Sequence, residues 1–87
     1  MKYQIYAVYD MATEYFMSPF FVKTEKEAIR GFSDAALDDN TPIGKHPGDY
    51  HLYRLGEYTD HNGDLRKQTP EVIISAIEVA TPSRQKE

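Results

Sequence analysis

The chain has 87 residues, with 14 acidic against 10 basic side chains and a formal charge of −4 at neutral pH. That balance argues against a genome-neutralising role, which needs clustered Lys and Arg to displace counterions from phosphate, and it leaves room only for a local basic patch. Cysteine is absent, which excludes disulfide frameworks and thiolate metal sites, so oligomerisation is the common remaining supplement to a core this small.

Residues 2–9 alternate, with Tyr3, Ile5, Ala7 and Tyr9 on one side and Gln4, Tyr6 and Val8 on the other, and period-2 patterning predicts a strand. The same stretch lacks the apolar region of a signal peptide, and no uninterrupted apolar run approaches the roughly 18 residues that span a bilayer. The cytoplasm is therefore the expected location. After a polar connection at 10–14, residues 15–23 read as a second strand, paired with the first in a hairpin. Pro19 cannot donate a ladder hydrogen bond, which places it on a sheet edge or at a bulge.

The sequence Thr24-Glu25-Lys26-Glu27 fits a capping box. Ala28, Ile29, Phe32, Ala35 and Ala36 then form one stripe of an amphipathic helix. Gly31 weakens that helix by about 1 kcal/mol relative to Ala, and close packing against the sheet is the expected reason for its presence. The helix should end near 38–40, because Pro42 disfavours α geometry in Thr41. Residues 40–49 carry two prolines and two glycines and read as a loop long enough to suspect function.

Residues 50–59 predict a third strand, and Asn62-Gly63 is a strong hairpin signal, followed by a strand or bent arm through Lys67. For 72–79, the run Val72-Ile73-Ile74 favours strand, although Ala76 and Ile77 after Pro70-Glu71 permit helix. The expectation is one α+β domain over residues 1–82, with 83–87 a polar tail. Its architecture is an antiparallel β-sheet of about four strands, ordered ββαββ along the chain, with one helix packed on one face. One short helix cannot cover both faces, yet the strands carry apolar groups on both. The open face is therefore expected to meet a partner or a second copy.

Chemistry-bearing residues are few. In the segment IGKHPGD, Gly44 and Gly48 would allow close backbone approach, and Lys45 and His46 offer an anion-binding pair. The competing reading is a structural connection with His46 solvated and Pro47 stiffening the path. His46, His51 and His61 share no metal-ligand spacing, so no metal is expected. The turn at 60–64 is close to a calcium loop, but its glycine falls at the fourth rather than the sixth position. There is no supported nucleophile–base set, so neither enzymatic activity nor a cofactor is expected. The tyrosines, among them Tyr3, Tyr6, Tyr9, Tyr50, Tyr53 and Tyr58 on predicted strands, could stack single-stranded bases beside Lys2, Lys23, Arg54, Arg66 and Lys67. They could equally cover the sheet or form an interface.

Two blocks carry a family resemblance: KTEKEAIRGF at 23–32, through Glu27, Ala28, Arg30 and Phe32, and IGKHPGDYHLYRLGEYTDHNGDL at 43–65. In the second, the matching residues are Ile43, Gly44, Lys45, His46, Pro47, Asp49, Tyr50, Leu52, Tyr53, Leu55 and Gly56, then the acidic turn at 60–63. Together they resemble the small nonstructural protein of gokushoviruses, tailless icosahedral bacteriophages with single-stranded DNA genomes. The resemblance covers residues 2–65 and is loose beyond. It implies a protein acting in single-stranded DNA synthesis and packaging in the infected bacterial cytoplasm. Such a protein would be a homo-oligomeric adaptor contacting the replication-initiation protein, single-stranded DNA, or both. Charge and alternation nominate Lys45, His46, Arg54, Arg66 and Lys67 for anion contacts, and Tyr53 and Tyr58 for the open sheet face. The alternative is a protein-interaction module that uses its aromatic face without binding DNA, which the net charge favours.

Overall fold

The computed structural model describes residues 1–81. The expected tail at 83–87 lies outside the described residues. The fold is α+β, as expected: an antiparallel sheet of five strands with its helices on one face. Strand β1 (Lys2–Asp10) is central. Along one side it pairs with β2 (Tyr15–Phe16) and β3 (Phe20–Val22), and along the other with β4 (Tyr50–Thr59), which in turn pairs with β5 (Asp64–Ser75). The expected second strand is thus two short pieces, interrupted where Pro19 removes a donor, and both lie on the sheet edge.

Helix α1 (Glu25–Ala36) begins at the expected capping box: Thr24 Oγ1 accepts from the Glu27 amide at 3.3 Å, and the Glu27 carboxylate accepts from the Thr24 amide at 3.3 Å. Ala28, Phe32 and Ala36 form its buried stripe. Gly31 faces solvent with open space around its Cα, so it does not serve close packing as expected.

The helix ends earlier than expected, and Thr41 ties its end: the hydroxyl proton is shared between the Ala35 and Asp38 carbonyls at 2.6 and 2.9 Å, oxygens that also accept from the Asp38 and Thr41 amides. The same Oγ1 accepts from the Gly44 amide at 3.0 Å and so caps α2 (Pro42–Lys45). The expected loop is therefore two short helical turns, α2 and a 3-10 turn at Pro47–Asp49. Gly44 does serve close approach, but to its own chain: a Cβ there would stand 2.0 Å from the Asp38 carbonyl oxygen. Gly48 has open space instead.

The last segment also departs from expectation. Strand β5 runs to Ser75, where the chain switches to α3 (Ala76–Ala80). Ser75 is the cause: its hydroxyl accepts from the Glu78 amide at 3.2 Å while its own amide donates to the Glu78 carboxylate at 2.9 Å, a second capping box. The β4–β5 register slips where Leu55 stands against Gln68, Thr69 and Pro70, and the proline is accommodated in that irregularity on the outer strand.

The core lies between the sheet and the helices. Tyr6, Val8, Tyr50 and Leu52 from the strands meet Ala28, Phe32 and Ala36 of α1, Ile43 of α2 and Ala76 of α3. No helix among the described residues is long and apolar enough to cross a membrane.

Candidate functional site

Register decides which side chains share the uncovered face. Along β1, Tyr6 and Val8 turn to the core, so Tyr3, Ile5, Ala7 and Tyr9 turn away from it. Directly paired residues share a face. Tyr3 faces Tyr58, Ala7 faces Tyr53 and Tyr9 faces His51 on β4, while Ile5 faces Phe21 on β3 and Tyr9 faces Phe16 on β2. Tyr58 in turn faces Leu65 and Tyr53 faces Val72 on β5. The result is a face dominated by aromatic rings.

The rings collect at two places. Toward one end, Phe16, Tyr9 and Tyr53 pack together, with centroid separations of 4.9 Å (Tyr9–Phe16), 5.5 Å (Phe16–Tyr53) and 5.9 Å (Tyr9–Tyr53). Toward the other, Tyr58 lies 6.2 Å from Tyr3 and 5.5 Å from Phe21, the latter nearly edge-on at 77°. These edge and tilted arrangements are the ones that ring quadrupoles favour. Between the two groups Ala7 is small and only 1% exposed, so the flanking rings shield the strand floor. The second group, with Asp60, lines an open depression of about 390 Å³.

The residues nominated from the sequence are divided between the faces. Tyr53 and Tyr58 do lie on the open face, one in each aromatic group. Lys67, paired with Gly56, shares that face and is exposed. Arg54, paired with Tyr6, turns to the helix side, where its Nε is buried without a hydrogen-bond partner among the described residues. Arg66 stands opposite Glu57, which pairs with Gln4, so it too turns to the helix side. Its Nε donates to Asp64 at 2.8 Å in an exposed ion pair, and that carboxylate holds the guanidinium pKa above its ordinary value. Lys45 and His46 are exposed at the end of α2, in the helical layer. The five cationic candidates therefore do not converge on one patch.

Phe16, Phe21, Tyr3 and Tyr9 complete the face and were not among the nominated residues. Alternation in β1 already put Tyr3 and Tyr9 together; the phenylalanines needed the β1–β3 and β1–β2 registers, which adjacent Phe20 and Phe21 leave ambiguous. His46, His51 and His61 are scattered: the α2 end, the open face and the distal turn. Among the described residues no cluster of histidine and carboxylate groups could hold a metal ion.

The helix side holds the perturbed tyrosines. The Tyr6 hydroxyl donates to Glu25 at 3.2 Å; burial, then the Glu25 charge and hydrogen bond, push its pKa up to about 12. Burial and the neighbouring Asp10 carboxylate raise that of Tyr50 as well. Both phenols are structural acids held neutral, remote from the open face.

Comparison with family models finds one described as Phage ORF5 protein, matching residues 3–79, and the chain belongs to that family. No curated protein matches the chain, and no solved structure does.

Proposed function

We propose, proceeding from membership of the phage ORF5 protein family, that the chain is a non-catalytic, nonstructural phage protein acting in single-stranded DNA genome synthesis and packaging. The resemblance of its two sequence blocks to the gokushovirus nonstructural protein supplies that stage of the phage cycle and the host cytoplasm as the place of action. On this reading the protein is a homo-oligomeric adaptor, and its open sheet face docks the replication-initiation protein. The observation that carries the reading is the composition of that face. It presents Tyr3, Tyr9, Phe16, Phe21, Tyr53 and Tyr58, with Lys67 the strand cation among them. A large uncovered aromatic surface with little charge suits a protein interface, where aromatic residues are enriched and charges depleted at the centre.

A second reading keeps single-stranded DNA as a direct ligand. It is favoured by the same rings, since an antiparallel sheet backed by helices is a known platform for stacking unpaired bases. Its weakness is the scatter of Lys45, His46, Arg54 and Arg66 away from the face.

Two measurements test the proposal together. Co-expression with the phage's own replication-initiation protein should give a complex that survives size-exclusion chromatography and is lost with Tyr53→Ala or Phe21→Ala. Titration of a labelled oligothymidine should show no saturable binding near physiological salt. Tight DNA binding that falls steeply with salt, with no initiator complex, would replace the adaptor reading by the DNA-stacking one.

A further inference from the structure

The two ends of the open face differ chemically. The Tyr9–Phe16–Tyr53 group is aromatic throughout, whereas the depression between Tyr3, Phe21 and Tyr58 has a carboxylate, Asp60, in its lining and no cationic side chain. We propose that this depression is a binding site for an arginine side chain presented by a protein partner. The inference deepens the adaptor reading by naming the chemistry the partner must offer.

The walls come from three adjacent strands. Tyr3 and Tyr58 are directly paired across β1 and β4, and Phe21 stands on β3 opposite Ile5, one same-face position along from Tyr3. The Phe21 ring meets that of Tyr58 at 77°, so the depression is cornered rather than flat. Phe21 remains 48% exposed, leaving ring surface available to an incoming group. Aromatic faces carry negative quadrupole potential and attract cations, arginine more often than lysine. A guanidinium adds planarity, which stacks on rings, and a donor fork that fits a carboxylate.

Charge decides between a basic side chain and a nucleotide. Both would use the rings, but a nucleotide brings a phosphate to a depression lined by Asp60 without a basic side chain. Asp60 also shows its preference within the chain: its Oδ1 accepts from the Met1 α-ammonium at 2.9 Å. That pair is 53% and 44% exposed, so it is weakened by solvent and leaves a carboxylate able to take further donors.

The test uses a blocked tripeptide of arginine between two glycines and its citrulline counterpart, which keeps the shape and loses the charge. Each is titrated into the isotope-labelled full chain while ring and methyl-region resonances are followed by NMR. The arginine peptide should shift Tyr3, Phe21 and Tyr58 saturably and bind about fivefold more tightly than the citrulline peptide, the size expected of an exposed cation–π contact with a solvated ion pair. Asp60→Asn, at an exposed turn position, should remove most of that difference, and Phe21→Ala should weaken the arginine peptide itself. Equal binding of the two peptides would overturn the proposal, as would arginine-dependent shifts confined to other residues. Tighter binding of an oligothymidine at these three rings would overturn it in favour of base stacking. Because no initiator is present in this experiment, its failure is separable from failure of the adaptor reading.

Discussion

Gly44 and Gly31 show how differently two glycines in one small domain can act. At Gly44 a Cβ would fall 2.0 Å from the Asp38 oxygen and 2.6 Å from its carbonyl carbon, both backbone atoms held by the Thr41 cap. Neither can move without opening the end of α1, so Gly44→Ala should lower stability by about 1–3 kcal/mol, the usual cost of overpacking. Gly31 meets nothing within 4 Å and faces solvent inside α1. Gly31→Ala should therefore raise stability by roughly 1 kcal/mol, by relieving the conformational freedom a helical glycine must surrender. Urea unfolding of the two variants beside the wild type checks both signs. Tyr6 adds a pH dependence. Its pKa stands near 12 in the fold, against 10.0 for the unperturbed phenol, so the folded chain binds the proton more tightly. Its contribution is then fully present below about pH 10 and is lost as pH rises from 10 toward 12. A stability profile should be level into the mildly alkaline range and fall above it, and Tyr6→Phe should lessen that fall to the part Tyr50 contributes. The same variant loses the hydrogen bond to Glu25, at a cost near 1 kcal/mol below pH 10.

Capping, more than propensity, decides where elements begin and end. Thr24 starts α1, Thr41 both closes α1 and opens α2, and Ser75 turns β5 into α3. The first was legible because Thr24-Glu25-Lys26-Glu27 precedes a clear apolar stripe. The third was present in the sequence as Ser75-Ala76-Ile77-Glu78, the same S/T-x-x-E pattern, but it sits inside the apolar run 72–79, where hydrophobicity alone favours strand. The dual role of Thr41 was not readable, because its acceptors at Ala35 and Asp38 become neighbours only after α1 has formed. Likewise, alternation groups Tyr3 with Tyr9 and sets Arg54 opposite Tyr53, while bringing Tyr58 onto the same face as Tyr53 depends on the bulge at Leu55 that no local pattern announces. The cap at Ser75 supplies an element-scale prediction. Ser75→Ala should cost about 1 kcal/mol of global stability. Because Ala76 is fully buried and Val79 packs on the core, the amides of α3 should also lose hydrogen-exchange protection before those of α1 do.

At the scale of the whole molecule the sheet has one face closed by helices and one left open, and the apolar exposure is not spread evenly over the surface. It concentrates at the β1–β2 hairpin, where Met11, Tyr15, Phe16 and Met17 are all exposed, Tyr15 to 75%. This hairpin is also the sheet edge, so the outer side of the two-residue β2 has no strand partner among the described residues and lies beside apolar side chains. The Tyr3–Phe21–Tyr58 depression lies toward the other end of β1, which allows one end to bind a second copy while the other engages a basic partner. A core this small, without cysteine, gains stability from any association that favours the folded state, and that gain grows with concentration. Sedimentation velocity across a concentration series should therefore show self-association of the wild-type chain, and the thermal midpoint should rise over the same range. Tyr15→Ser combined with Met17→Ser should keep the protein monomeric and make its midpoint independent of concentration. Arginine-peptide binding at Tyr3 and Tyr58 should survive unchanged. Association that persists in this double variant would move the self-contact away from the hairpin, and a wild-type chain that stays monomeric throughout would leave the open face wholly to a heterologous partner.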